Sequence, residues 1–218
     1  MSFLSRIFSN KKAWSDAPAN TNGLTKFIVA NDLHIGSKYQ DNDMALGELG
    51  KLKNDGLTIL NGDLFDRACA KKDDLLWLDL IFQRYVRTFG DNYVMGNHER
   101  NGVETYPLIK KTNAGLVVGF THGDLLSNFD KWLMYRMKPP GASWFGLLIT
   151  SLFDNLDHIK AMRPLPEKFL HNAVKYCQTY SLDYLVLGHF HPESERRYYI
   201  DGKVIIVLPA HKINDVYI

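Results

Sequence analysis

From Lys26 onward the chain repeats one pattern, a short apolar and β-branched run followed at once by polar residues. "KFIVANDLH" (26–34) ends on Asp32 and His34, and "LTILNGDLFD" (57–66) ends on Asp63 and Asp66. "NYVMGNHE" (92–99) closes with Asn97, His98 and Glu99. "LVVGFTHGD" (116–124) closes with His122 and Asp124, and "YLVLGHFH" (184–191) with His189 and His191. Short apolar runs bounded by Gly, Asn and Asp predict buried strands. Between them, "DDLLWLDLIFQRYVRTF" (73–89) places Leu75, Leu78, Phe82, Tyr85, Val86 and Phe89 on one face and predicts a helix. Strands alternating with helices predict an α/β architecture. In such sheets ligands gather beyond the carboxyl ends of the strands, where these polar residues fall. Near the end of the chain, Asp201-Gly202 between two strand-like runs predicts a β-hairpin.

Composition narrows the class. A chain of 218 residues, 45% apolar and 12% aromatic, suits one domain with a real core. A net charge of +2 gives no support to a nucleic-acid surface, which shows as a clustered basic excess. Cys69 and Cys177 form no CxxC pair, and the expectation is two small buried residues in a reducing cytosol. No stretch reads as a membrane span: "PPGASWFGLLITSLF" (139–153) is broken by proline and glycine and is shorter than about 20 residues. The segment 1–23 has Phe3, Leu4, Ile7 and Phe8 on one helical face, followed by a linker. That face suits either packing on its own domain or peripheral contact with a membrane or partner. A cytoplasmic location, including the inner face of a membrane, is the expectation.

Carboxylates, imidazoles and an amide oxygen together suit divalent ions such as Mn, Fe or Zn. The lack of a thiolate cluster argues against a structural zinc knot. Taken singly, an Asp after a strand is usually a turn or cap residue, and a His a satisfied polar group. The joint pattern outweighs that reading, because His34, His98, His122, His189 and His191 all fall in the strand-end segments. His158, His171 and His211 lack such company and read as surface or structural residues. Two ions sharing a bridging carboxylate need about this many ligands.

The motifs "DLH" (32–34), "GDLFD" (62–66), "GNHE" (96–99), "HGD" (122–124) and "GHFH" (188–191) occur in the order found in calcineurin-like metallophosphoesterases, a superfamily the chain resembles. The resemblance implies an α/β fold in which a two-sheet β-sandwich is flanked by helices, spanning 24–218 with a helical insert or cap at 125–183. It implies that Asp32, His34 and His191 bind one metal and Asn97, His122 and His189 the other, with Asp63 bridging. Two divalent ions are implied, manganese first, with iron or zinc as alternatives. Asp66 and Asp124 would orient ligating imidazoles or cap helices. His98 resembles the family's non-ligand histidine, which contacts phosphate and protonates the departing oxygen. The implied nucleophile is a metal-bridging hydroxide. Arg67 follows "GDLFD" where one branch places a phosphate-gripping arginine; a solvated arginine is the other reading.

The implied activity is hydrolysis of a phosphorylated small molecule or lipid-linked substrate. "HGD" with "GHFH", and a long stretch rich in aromatic and basic residues between them, resemble the UDP-2,3-diacylglucosamine pyrophosphatase-like branch. That stretch reads as a substrate lid or as a cap completing the core. "GDLFDR" and "GNHE" also resemble phosphoprotein and dinucleoside-polyphosphate phosphatases. A non-catalytic scaffold is the expectation of a different class.

Overall fold

The computed structural model describes residues 22–37, 40–67, 70, 72–99, 108–126 and 165–218. Its strands are β1 (Lys26–Asn31), β2 (Thr58–Asn61), β3 (Tyr93–Val94), β4 (Ile109–Asn113), β5 (Leu116–Thr121), β6 (Tyr184–Leu187), β7 (Arg196–Ile200), β8 (Lys203–Val207) and β9 (Lys212–Tyr217). The helices are α1 (Asn42–Leu49), α2 (Lys72–Phe89) and α3 (Glu167–Tyr180). One sheet has the order β3-β2-β1-β9 and the other β4-β5-β6-β8-β7. Strands β1, β2 and β3 are parallel, with β9 antiparallel on β1. In the second sheet β5, β6 and β8 are parallel, and β4 and β7 pair antiparallel at the edges.

The alternation of side chains along each strand accounts for the layering, because successive residues point to opposite faces. Phe27, Val29 and Ile59 from the first sheet meet Val118, Phe120, Val186 and Ile206 from the second in one apolar cluster. This is the interior of a two-sheet sandwich, and each such side chain buried contributes about 1.5–3 kcal/mol. The intervening residues face outward. Ala30 and Leu60 join Ala45 and Leu49 of α1 and Leu78, Phe82 and Phe89 of α2. Leu185, Leu187, Ile205 and Val207 join Phe169, Leu170, Ala173, Val174 and Cys177 of α3. The strands carry near-continuous apolar runs because both faces of each sheet are covered.

Helix α1 starts at Asp41, whose side chain accepts the Met44 N–H at 3.0 Å, as a capping carboxylate does. The predicted helix 73–89 is α2, with its expected apolar face on the core. The predicted hairpin is present: Ile200 pairs with Lys203, and Asp201 and Gly202 both have positive φ (50° and 73°). That geometry is what a two-residue turn of the favoured hand requires.

The end of the 125–183 stretch is a core helix, since α3 fills the outer face of the second sheet. The rest of that stretch, including the aromatic and basic residues from 129 to 153, lies outside the described residues, as do the segment 1–21 and Cys69. Cys177 is a buried free thiol whose pKa burial pushes up to about 11. Among the described residues no helix is long and apolar enough to cross a membrane.

Candidate metal centre

The parallel strands end together, so their following loops converge. Asp32 N donates to the Gly62 carbonyl (2.9 Å), His34 N to that of Asp63 (3.0 Å) and Gly188 N to that of His122 (3.1 Å). These bonds tie the loop after β1 to that after β2 and the loop after β6 to that after β5, and His189 N, donating to the Asp32 carboxylate, joins the two pairs. The side chains of these loops stand on unusual backbone: Asp32, His34, Asp63, His189 and His191 all have positive φ, between 45° and 69°. Left-handed non-glycine residues cost of order 1–3 kcal/mol each and persist where the surroundings over-determine them, often at functional sites.

Among the described residues, three sets of donors result. Asp32, His34 and His191 form one, Asp63, His122 and His189 a second, and His34, Asp66 and His98 a third. Within each set one ligand atom per residue lies within 4.8 Å of the others. Asn97 adds its amide oxygen to the second set, 3.2 Å from His122 Nε2.

The charges make a cation site. Asp32 and Asp63 are buried carboxylates with 0% and 2% exposure, among imidazoles. Burial disfavours the charged form of each, yet His122 and its neighbours hold both below the usual carboxylate range. His122 Nδ1 faces the Asn61 carbonyl at 3.3 Å, while Nε2 faces Asp63 Oδ2 at 3.0 Å and the Asn97 oxygen. A neutral imidazole that donates from Nδ1 turns a lone pair toward two acceptors, which is unfavourable without a positive charge between them. A proton on Nε2 supplies one: burial opposes it, but Asp63 and Asp32 overcome that and push His122 up to about 10. A divalent ion supplies the charge equally well, so the residues fit a metal. His34, by contrast, is driven down to about 3 by burial and by His98 and His191, and is therefore neutral, as a ligand must be.

Two glycines let the loops approach. A Cβ on Gly188 would collide with Asp32 Oδ2, and one on Gly96 with the Asp63 carboxylate and, at 2.5 Å, its backbone nitrogen. The Asp32 carboxylate also accepts from His189 N at 3.0 Å and from Asn31 Nδ2 at 2.6 Å, which fixes its orientation.

The remaining expected residues divide. His98 lies beside the donors, its ring edge-on to His34 at 4.8 Å, its N–H donating to Asp63 Oδ1 and Nδ1 2.8 Å from Asp66 Oδ1. Asp66 therefore orients His98. Asp124 is fully buried and its charge acts on His122. Arg67 is not a solvated arginine. It is buried, with Nε donating to Asp79 (2.6 Å) and a terminal N–H to the Glu99 carbonyl (2.7 Å), and it stacks over Phe82 at 4.4 Å. These contacts brace α2 against the loop after β3.

Glu99 closes its segment in the sequence like a ligand, but the fold turns it away. Its Oε1 accepts from Leu64 N (2.8 Å), Phe65 N (3.1 Å) and Tyr93 Oη (2.6 Å), and Oε2 from Gly96 N (3.1 Å). Burial, then Asp63, push its pKa up to about 7. Glu99 holds the two loops that carry Asp63 and Asn97 in register. Glu99→Ala would strand four buried donors at about 1–3 kcal/mol each, partly relieved by water. A loss of about 3–5 kcal/mol in urea unfolding is expected, against roughly 1 kcal/mol for Tyr93→Phe. Equal stabilities for the two variants would show that Glu99 braces nothing.

His211, read from sequence as surface or structural, is brought to the site. Its ring lies 5.6 Å from those of both His34 and His191. Its N–H donates to the Asp32 carbonyl at 3.0 Å, and its φ is 59°, like the other site residues. A signal was present in the sequence, since "VIIV" ends in an imidazole as the other runs do, displaced by Leu208, Pro209 and Ala210.

Residues 25–193 match the family model of the calcineurin-like phosphoesterases. No curated protein matches the chain in sequence. Among solved structures, a predicted phosphoesterase from Streptococcus pneumoniae is 14% identical over 86% of this chain and 73% of its own, with a TM-score of 0.40. Vps29 from Chaetomium thermophilum is 14% identical over 86% and 70%, with a TM-score of 0.46. Vacuolar protein sorting 29 from Cryptosporidium parvum is 15% identical over 86% and 75%, with a TM-score of 0.42. Likeness at that level carries nothing about substrate.

Proposed function

The chain belongs to the calcineurin-like phosphoesterase family, and from that premise we propose that it hydrolyses phosphoesters or phosphoanhydrides with two divalent ions, manganese foremost. The observation that carries this reading is the convergence of two buried donor sets, Asp32–His34–His191 and Asp63–His122–His189, at the ends of parallel strands. Asp32, His34 and His191 hold one ion in this reading, and Asn97, His122 and His189 the other. Asp63, whose Oδ2 lies 3.0 Å from His122 Nε2, would serve as the shared ligand. When bound, such ions polarise phosphoryl oxygens and make a water acidic enough to attack at neutral pH.

The residues do the rest. The Asn61 carbonyl holds His122 as the tautomer that turns Nε2 inward. Asp66 fixes His98 through Nδ1 and leaves Nε2 as the nitrogen that delivers a proton to the departing oxygen. Asp63 sets the approach of His98 through its backbone N–H.

For the substrate we favour a diphosphate-linked lipid precursor of the UDP-diacylsugar type. Support comes from the pairing of "HGD" with "GHFH" and from the aromatic and basic residues at 129–153. Protein freed of metal and reloaded with manganese should cleave a UDP-diacylsugar faster than a dinucleoside polyphosphate, a phosphopeptide or an aryl phosphodiester. Preference for another member of that panel overturns the lipid assignment alone. Failure to bind metal or to hydrolyse any of the four overturns the phosphoesterase reading.

A further inference from the structure

We propose that His211 is a phosphate-contacting residue of this site, a wall supplied by the final strand crossover; the inference rests on the phosphoesterase reading. The topology brings it there. Strand β8 runs parallel to β6 and ends beside the "GHFH" loop, while β9 runs antiparallel to β1 and so starts where β1 ends, with Lys212 opposite Asn31. The crossover from one sheet to the other, residues 208–211, must therefore pass over the centre.

It is held there firmly. Leu208 N donates to the Leu187 carbonyl at 2.8 Å. The Pro209 carbonyl accepts from both Asn31 Nδ2 and Asn214 Nδ2, each at 3.3 Å, and Asn214 also donates to Asn31 Oδ1 at 3.0 Å. Asn31 in turn grips the Asp32 carboxylate. The same buried amide pair thus sets the position of a metal-site carboxylate and of the crossover. With its N–H on the Asp32 carbonyl, His211 has little freedom to leave.

Burial separates its role from that of a metal ligand. His34 is 8% exposed, whereas His211 lies on the surface, against the rings of His34 and His191. The donor set at this edge is complete in Asp32, His34 and His191 without it. An imidazole on the solvent side of two ligands is the group a phosphoryl oxygen entering from water meets. Even the neutral ring keeps one N–H, so the contact needs no change of protonation. A hydrogen bond to an anionic oxygen is among the stronger ones available to a neutral donor.

The test compares manganese-loaded wild-type protein with His211→Ala and His211→Gln. Inorganic phosphate is titrated calorimetrically, bound metal is counted by emission spectroscopy, and hydrolysis of an aryl phosphodiester is split into kcat and KM. His211→Ala should keep the wild-type metal content and thermal midpoint. It should bind phosphate about tenfold more weakly and raise KM by a similar factor. His211→Gln, which restores an N–H donor, should recover part of both. Unchanged phosphate affinity in His211→Ala overturns the proposal. So does loss of metal, which would make His211 a ligand or a support for His34 and His191. Wild-type protein that binds no metal would instead overturn the phosphoesterase reading beneath it.

Discussion

Asp63→Ala should lose hydrolysis by on the order of 10³-fold or more and retain at most a fraction of its metal, while remaining folded. Asp63 links the second donor set to the His98 loop: Oδ2 lies 3.0 Å from His122 Nε2 and Oδ1 accepts from His98 N. Removing it deprives both proposed ions of a ligand and frees the His98 loop at the same time. Two cations held close together need an anionic bridge between them, and its contribution is several kcal/mol, which is the stated rate factor. Emission spectroscopy and a calorimetric melt on the purified variant distinguish this from unfolding. A variant with full metal content and wild-type rate would remove Asp63 from the centre.

Gly96→Ala should be nearly as damaging, although glycine brings no chemistry of its own. The added methyl would overlap the Asp63 carboxylate and stand 2.5 Å from the Asp63 nitrogen. A flexible side chain could swing aside, but this one is pinned by His98 N and the backbone atom cannot move without shifting the whole loop. Overpacking of that kind costs typically about 1–3 kcal/mol in stability. Here the displacement falls on the proposed bridging carboxylate itself, so activity should drop by about 10²-fold or more, since small misplacements at a reacting centre carry that penalty. A second variant, Gly47→Ala, is the control for glycine removal as such, because its backbone is not left-handed and its Cβ would meet nothing within 4 Å. If Gly96→Ala is no worse than Gly47→Ala in rate, the close approach has no functional weight.

The positions that were legible in the sequence are those where local order carries the chemistry. Asp32, His34, His122, His189 and His191 each lie in the loop that follows a parallel strand, so an apolar run and its next polar residues were enough to place them beyond the carboxyl ends of the strands. Strands β4 and β9 were harder to read, because "IKKTN" and "KINDVY" mix β-formers with Asn, Asp and Lys that sheets usually disfavour. Arg67 and Glu99 have the residue types of a phosphate grip and a ligand, but their partners decide. A guanidinium facing Asp79 on the neighbouring helix and a carboxylate saturated by four donors are properties of tertiary packing. His211 is the same lesson inverted. Leu208, Pro209 and Ala210 separate it from its apolar run and blur the pattern, and the pairing of β9 with β1 across the chain carries it to the site.

The bond from His189 N to Asp32 joins residues 157 apart in sequence, and this has a consequence for the order of events during synthesis. The first donor set cannot close until His191 has been made and both sheets have docked, and the clamp on Asn31 waits longer still, for Asn214. Contacts so distant along the chain form late, after the loops between them have lost their freedom. Until then Asp32 and Asp63 belong to a growing chain whose carboxylates are open to water and hold an ion weakly. In the proposed reading, tight metal capture therefore waits until Asn214 has been made and has docked on Asn31.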